Sequence, residues 1–192
     1  MAIPAALPAP TAATLHEAAL NYLARYAATE AGLRAVLNRR IDGWARSTAS
    51  DDRDDLASRV TTLKQDVRAV AAQLVAMGLV NDTAFAEQHA ASLIRSGRSR
   101  RAITARLAAK GVDPDIARAT IPDDPDTELA AALVLTRKRR IGPFRRCNQP
   151  DQAGQRREMA MLARAGFPRQ IVQQALAMDG DEAEARIAAF RQ

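Results

Sequence analysis

The sequence has few of the residues from which disulfides, sheets and phosphate-binding loops are built. Its one cysteine, Cys147, excludes an intramolecular disulfide. Aromatic residues make up only 4% of the 192 residues. The nine glycines are scattered and form no phosphate-binding loop. The shortage of aromatic and β-branched residues argues against a β-sandwich, a barrel or a large parallel sheet.

Segments for secretion and membrane insertion are also missing. Residues 1–13 are apolar, but they contain three prolines and no basic residue, so they match neither a signal peptide nor a membrane span. We interpret 1–13 as a flexible leader. No later stretch approaches the roughly 18 consecutive apolar residues of a membrane-spanning helix. The sequence therefore predicts a soluble, cytoplasmic protein with no membrane contact.

Patterns typical of catalytic or metal sites are sparse as well. The two histidines, His16 and His89, are far apart, and no cysteine–histidine cluster has metal-ligand spacing. The acidic pair Asp123-Asp124 falls in a polar turn, where solvated carboxylates are the default. We therefore predict no catalytic residue, no metal and no cofactor.

Alanine and arginine are the abundant residues. The chain has 43 alanines, which favour helices, and its hydrophobic content of 47% argues against a disordered chain. Of the 28 basic residues, 25 are arginine, and the formal net charge is +6. This excess of positive charge indicates a partner that is polyanionic or has an acidic surface.

A helical motif recurs along the chain. Leu107-Ala108 is followed by Gly111, and Leu162-Ala163 is followed by Gly166 at the same spacing. A weaker copy without the glycine lies within residues 33–40. The two copies that contain the glycine each predict a helix that ends at a left-handed glycine and folds back into a short helix.

One such unit cannot bury its own apolar faces, so the units should stack side by side. The sequence thus predicts an all-α, elongated tandem array of three three-helix repeats. The expected segments are the leader at 1–13, a degenerate first repeat at 14–46, a central second repeat at 47–121 that begins with an acidic linker, a third repeat at 122–180 and a C-terminal helix at 181–192. We also expect Asp82 to cap the helix that follows it, and residues 141–154 to form an exposed loop.

Basic side chains concentrate in three clusters, which are the candidate binding surface. Arginine-rich helix ends and loops can clamp phosphates or bind acidic side chains. The first cluster comprises Arg95, Arg98, Arg100, Arg101, Arg106 and Lys110; the second comprises Arg137, Lys138, Arg139, Arg140, Arg145 and Arg146; the third comprises Arg156, Arg157 and Arg164. The alternative is a solvated face whose cations balance a helix dipole.

A series of short motifs follows in a fixed order in the middle of the chain. It consists of Gly78-Leu79-Val80-Asn81-Asp82, then Phe85-Ala86, Gly97, Arg101, Ile103, Leu107 and Lys110-Gly111-Val112. This series resembles the central repeat of the RecX family, which are bacterial regulators of the RecA recombinase. Residues 162–167 resemble the final repeat of that family, and residues 20–40 resemble its first repeat.

The resemblance implies a helical protein without catalytic activity. RecX proteins bind RecA filaments on DNA and restrain their growth, which lowers strand exchange, ATP hydrolysis and co-protease activity. The family therefore acts in homologous recombination, DNA repair and the SOS response. For this chain, the resemblance implies a RecA filament as partner. Nothing in the sequence requires a dimer, so we expect a monomer, and we expect its basic clusters to contact RecA or the backbone of single- or double-stranded DNA.

Two other functions stay open on the sequence. Residues 101–120 have the helix, glycine turn and helix of a helix-turn-helix DNA-binding regulator. However, Asp113 and Asp115 begin the second helix, which would have to face base edges and phosphates. The repeat alone also allows a basic helical scaffold for another acidic protein. A footprint at a defined operator would favour the first function, and binding indifferent to DNA and RecA would favour the second.

Overall fold

The computed structural model of the protein describes residues 8–48, 53–145 and 151–190. Within these ranges the chain forms helices and no strand, which confirms the predicted all-α class. The helices are α1 (Ala12–Leu23), α2 (Glu30–Ser47), α3 (Arg53–Ala76), α4 (Asp82–Arg95), α5 (Arg100–Ala109), α6 (Pro114–Thr120), α7 (Pro125–Arg139), α8 (Gln152–Arg164), α9 (Arg169–Ala177) and α10 (Gly180–Phe190). Over the same ranges, no helix is both long and apolar enough to cross a bilayer.

The chain divides into two compact units, Met1–Phe85 and Ala86–Gln192. In the first unit, α1, α2 and α3 pack around one apolar core. Apolar residues recur at helical spacing on the buried face of each helix. They are Leu15 and Ala19 on α1, Leu33, Leu37, Ile41 and Trp44 on α2, and Leu63, Val67, Val70 and Leu74 on α3. Helix α3, whose segment we assigned by sequence to the second repeat, lies against both α1 and α2.

Two residues at the start of α4, Asn81 and Asp82, supply caps for two helices. The Asn81 side-chain oxygen accepts the Ala84 N–H at 2.9 Å and thereby caps α4. The Asp82 carboxylate instead accepts the Glu30 N–H in the first turn of α2, at 2.8 Å. Our expectation that Asp82 caps its own helix was therefore wrong. Because Asn81 already caps α4, the Asp82 carboxylate can reach another helix end, where the dipole favours negative charge.

In the second unit, α7 is the central helix. Its residues 129–134 are all buried, as is typical of a helix enclosed by others. Helices α9 and α10 pack directly on α7, and α8 packs on α9. The core they enclose includes Leu133, Leu162, Phe167, Ile171, Val172 and Ile187.

Glycine ends the helices where the sequence predicts it. Gly78, Gly97, Gly111 and Gly166 all have φ between 73° and 93°. In each turn, an N–H just beyond the glycine reaches back to a carbonyl in the preceding helical turn. The left-handed helix ends inferred from the repeat are therefore confirmed.

Residues 141–145 differ from the exposed loop that we expected. Ile141 and Gly142 are buried, and Gly142–Phe144 form a 3₁₀ turn that packs on α7 and α9. Gln152 already begins α8, and residues 146–150 lie outside the described ranges. The expectation of exposure is wrong for the first part of this segment, because the Ile141 side chain packs in the apolar core formed around α7.

The 3₁₀ turn is secured by an ion pair between Arg145 and Glu158. Glu158 accepts from the Arg145 Nε at 2.8 Å, from a second Arg145 nitrogen, and from the Gly142 N–H at 3.3 Å. The Arg145 hydrogen bond, together with its charge and the Gly142 N–H, lowers the pKa of Glu158, although burial opposes the shift. Arg145 therefore holds the turn to α8.

Glu158→Gln is expected to lower the free energy of unfolding by about 2 kcal/mol near neutral pH, because it breaks a largely buried pair. The native pKa of Glu158 is below its ordinary value of 4.5. The stabilisation is thus present above that ordinary value and is lost as the pH falls through the native pKa. Urea titrations across acidic pH should show the two proteins converging at low pH. Glu184→Gln, at an exposed pair with Arg137, is the control and should change stability little. A constant difference at all pH values would contradict the assignment.

Candidate functional site

The turn between α4 and α5, residues 96–99, is held by side chains and backbone from α7 and α8. The Lys138 ammonium donates to the Ser96 carbonyl at 2.7 Å. The Ser99 hydroxyl donates to the Ala165 carbonyl at 2.6 Å. We call residues 96–99 the α4–α5 turn. Its partners lie 42 and 66 residues further along the chain, so the α4–α5 turn is held by tertiary contacts within the second unit.

Gly97 brings the α4–α5 turn directly onto the backbone of α7. Its φ is 81°. A Cβ at this position would lie 3.0 Å from the Ala131 carbonyl oxygen, the Leu135 nitrogen and the Val134 Cγ1. Real Cβ atoms rarely come this close to backbone. The contact therefore depends on glycine.

The N-terminus of α5 is closed by side chains of the second unit. The Ser99 hydroxyl oxygen accepts the Ala102 N–H at 3.2 Å. The Glu128 carboxylate accepts the Arg100 N–H at 2.9 and 3.2 Å. Burial raises the pKa of Glu128, and the Arg100 N–H and guanidinium oppose that shift. Because the Arg100 and Ala102 N–H groups already donate hydrogen bonds within the chain, an anion near α5 would have to bind to side chains and not to these groups at the helix end.

The same contacts bring the three basic clusters together. Arg98 of the first cluster lies in the α4–α5 turn, Arg101 of the same cluster lies in the first turn of α5, and Lys138 of the second cluster bonds to the Ser96 carbonyl. Arg164 of the third cluster directly precedes Ala165, the partner of Ser99. The Arg101 Cβ also lies 3.3 Å from the position that a Cβ on residue 166 would occupy. We call the surface formed by Arg98, Arg101, Lys138 and Arg164 the basic junction.

Several of the predicted cations have a partner within the fold. Arg100 pairs with Asp123, Arg137 pairs with Glu184 at 2.9 Å, and Arg145 pairs with Glu158. Lys138 has its carbonyl partner in the α4–α5 turn. These contacts join different helices and turns of the second unit, so each of these side chains has a structural role in addition to any binding role.

Most of the other predicted cations are exposed and have no ion-pair partner in the part of the chain that the structure describes. They are Arg95, Arg98, Arg101, Arg106, Arg139, Arg140, Arg156, Arg157 and Arg164. Lys110 is exposed as well, and Arg146 lies outside the described ranges. The exposed guanidinium groups are thus available to phosphates or carboxylates of a partner.

A groove of about 1130 Å³ beside the basic junction was missed by sequence reasoning. Its walls come from α5 to α10, with Ile121, Phe167 and Ile171 among the apolar lining residues and Arg101 and Asp123 among the charged ones. Apolar residues at helical spacing look like core in a sequence. The sequence pattern therefore cannot distinguish the residues that line this groove from residues of the core.

The titratable side chains that the structure describes offer no arrangement for binding a metal ion. Across 8–48, 53–145 and 151–190, no group of three His, Cys, Asp or Glu side chains could hold a metal ion. The arrangement of the basic junction suits binding of anions through exposed cations.

Comparison with known proteins identifies the family. The profile described as the second three-helix domain of RecX matches residues 81–121, which contain α4, α5 and α6. The regulatory protein RecX of Myxococcus xanthus (strain DK1622) is 40% identical over 155 residues, which are 80% of this chain and 79% of that protein. The chain belongs to the RecX family. The resemblance noted in the sequence is thereby confirmed.

Two further RecX proteins extend the comparison. The regulatory protein RecX of Agrobacterium fabrum (strain C58 / ATCC 33970) is 39% identical over 105 residues, 55% of each chain. The crystal structure of RecX from Lactobacillus salivarius has a TM-score of 0.60 at 19% identity, and the match covers 91% of this chain and 97% of that one. The structural match shows a shared helical fold. RecX proteins are named as regulatory proteins and not as enzymes.

Proposed function

We propose that this chain binds RecA filaments on DNA and inhibits the recombinase, ATPase and co-protease activities of RecA. The observation that carries the proposal is the basic junction, where three clusters that are separate in sequence meet around the α4–α5 turn. The names of the relatives support a regulatory role. A surface of exposed cations beside a groove suits a partner that combines protein with a polyanion.

The proposed mechanism is occupancy of the filament. Exposed arginines would bind DNA phosphates and acidic side chains of RecA, since guanidinium groups make bidentate contacts with both. The bound protein then obstructs the addition of the next RecA subunit and biases the filament towards disassembly. We infer that the chain acts as a cytoplasmic monomer, and light scattering coupled to gel filtration would test the monomer.

The helix-turn-helix alternative gains no support from the geometry of α6. Asp113 caps this helix through the Asp115 N–H at 2.7 Å, and the Asp115 carboxylate pairs with Arg118 at 2.7 Å. The helix end that would have to face phosphates is therefore acidic, and the arginine of α6 is already paired.

The decisive experiment measures the DNA-dependent ATPase of RecA from the same organism with increasing amounts of this protein. We expect inhibition that weakens as salt rises, because about six phosphate contacts would lower the affinity roughly 10³-fold between about 50 and 200 mM salt. Unchanged ATPase and strand exchange at stoichiometric protein would contradict the proposal.

A further inference from the structure

Arg140 directly follows the last residue of α7 and has an unusual backbone conformation. Its φ is 56° and its ψ is 46°, and no other non-glycine residue of the described chain has a positive φ. The Ile141 N–H donates to the Thr136 carbonyl at 3.1 Å, and the Arg140 N–H donates to the Arg137 carbonyl at 3.2 Å. This is the hydrogen-bond pattern of a helix that ends in a left-handed residue.

The other helix ends of this kind contain glycine. At Gly97, Gly111 and Gly166, the N–H of the following residue also reaches back to a carbonyl five residues earlier, and φ lies between 77° and 93°. A side chain with a Cβ is disfavoured in this conformation, whereas glycine adopts it freely. Arg140 thus stands at a kind of helix end that is otherwise formed by glycine in the described part of this chain.

No contact within the described residues accounts for this arginine. Arg140 is exposed and has no ion-pair partner there. The preceding cations Arg137 and Lys138 are bonded to Glu184 and to the Ser96 carbonyl. Arg139 is exposed like Arg140, and it can balance the dipole of the helix end from an unstrained helical position. No contact within the described residues therefore explains why this position holds arginine and not glycine.

We propose that Arg140 is a phosphate-contact residue for a polynucleotide backbone and that its strained conformation is kept for that contact. Strained backbone persists at binding sites when the side chain is needed there. The proposal rests on the proposed function and specifies one contact of the same surface, since Lys138 of the basic junction lies two positions before Arg140 in the sequence.

A polynucleotide fits this pair of cations better than an acidic protein surface. Arg139 and Arg140 are adjacent, so their Cα atoms are about 3.8 Å apart. A nucleic-acid strand offers a continuous row of phosphates, so neighbouring guanidinium groups can each contact one of them. The net charge of +6 favours the same kind of partner.

The test uses the full chain and a fluorescein-labelled single-stranded oligonucleotide, with binding followed by anisotropy across a salt series. Arg140→Gly should raise the melting temperature by about 2–4 °C, because glycine relieves the strain. The same variant should bind several-fold more weakly, and the slope of log affinity against log salt should fall by about 0.7. Arg140→Lys should retain most of the affinity. Arg140→Asn, which tolerates the conformation but has no charge, should lose affinity like the glycine variant.

Arg68→Gln, at an exposed position of α3, is the control for loss of one charge and should leave the salt slope unchanged. Unchanged DNA affinity of Arg140→Gly, alongside weaker binding by Arg139→Gln, would overturn the proposal and leave the proposed function standing. A lower melting temperature would overturn it as well, because the arginine would then stabilise the fold. Loss of RecA binding with full DNA binding would assign Arg140 to a protein partner instead. The proposed function itself would fail if the unaltered protein left the ATPase and strand exchange of RecA unchanged, which is a separate readout.

Discussion

Changing Arg98, Arg101 and Arg164 together to glutamate is expected to lower the affinity for DNA-bound RecA filaments about 100-fold at moderate salt. Each of these side chains is exposed at the basic junction and has no ion-pair partner in the described ranges. Reversal removes an attraction and adds a repulsion at each position. Arg100 is left unchanged because it pairs with Asp123.

The melting temperature should stay nearly constant in this triple variant, because exposed charges contribute little to stability. A matched control reverses Arg25, Arg46 and Arg68, three exposed arginines of the first unit, and so changes the net charge equally. Inhibition of RecA ATPase and binding to labelled filaments measure the effect. Equal losses in both triple variants would show that net charge matters and position does not. A large loss of stability in the junction variant would show that those arginines are structural.

Gly97→Ala is expected to lower the free energy of unfolding by about 3 kcal/mol. Part of this cost is the left-handed conformation, with φ of 81°. The larger part is the new methyl group, which would meet backbone atoms of Ala131 and Leu135 at 3.0 Å. Because helix backbone cannot move as a flexible side chain can, the α4–α5 turn would have to separate from α7.

Gly78→Ala is the matched control for this substitution. Gly78 has φ of 73°, but a Cβ there would meet nothing within 4 Å. We expect a loss of only about 1 kcal/mol, from conformation alone. Urea unfolding followed by circular dichroism measures both changes. Similar losses in the two variants would contradict the close packing of the α4–α5 turn on α7.

The sequence predicted features that depend on local spacing. The glycine helix ends, such as Gly97 and Gly166, follow from a residue type that alone adopts the left-handed conformation freely. The all-α class follows from periodic apolar residues and abundant alanine. The family resemblance rested on the order of such features, and comparison confirmed it.

Features that depend on tertiary partners could not be predicted in this way. Nothing local distinguishes Arg145, which pairs with Glu158, from the exposed Arg139. Asp82 has the residue type and position of a cap, yet it serves a helix 52 residues away. The groove was hidden for the same reason, because Phe167 and Ile171 look like ordinary core residues until the packing is known.

The long sequence separations at the α4–α5 turn also determine when its surface can form during protein synthesis. A nascent chain that has reached Thr120 contains α5, but it lacks Glu128, Lys138 and Ala165, which hold the turn in place. Ser99 therefore finds its carbonyl partner only after α8 has been made. The basic junction is complete only after Ala165 has been synthesised, so a product truncated before α8 would carry the arginines of the first cluster without the surface that arranges them.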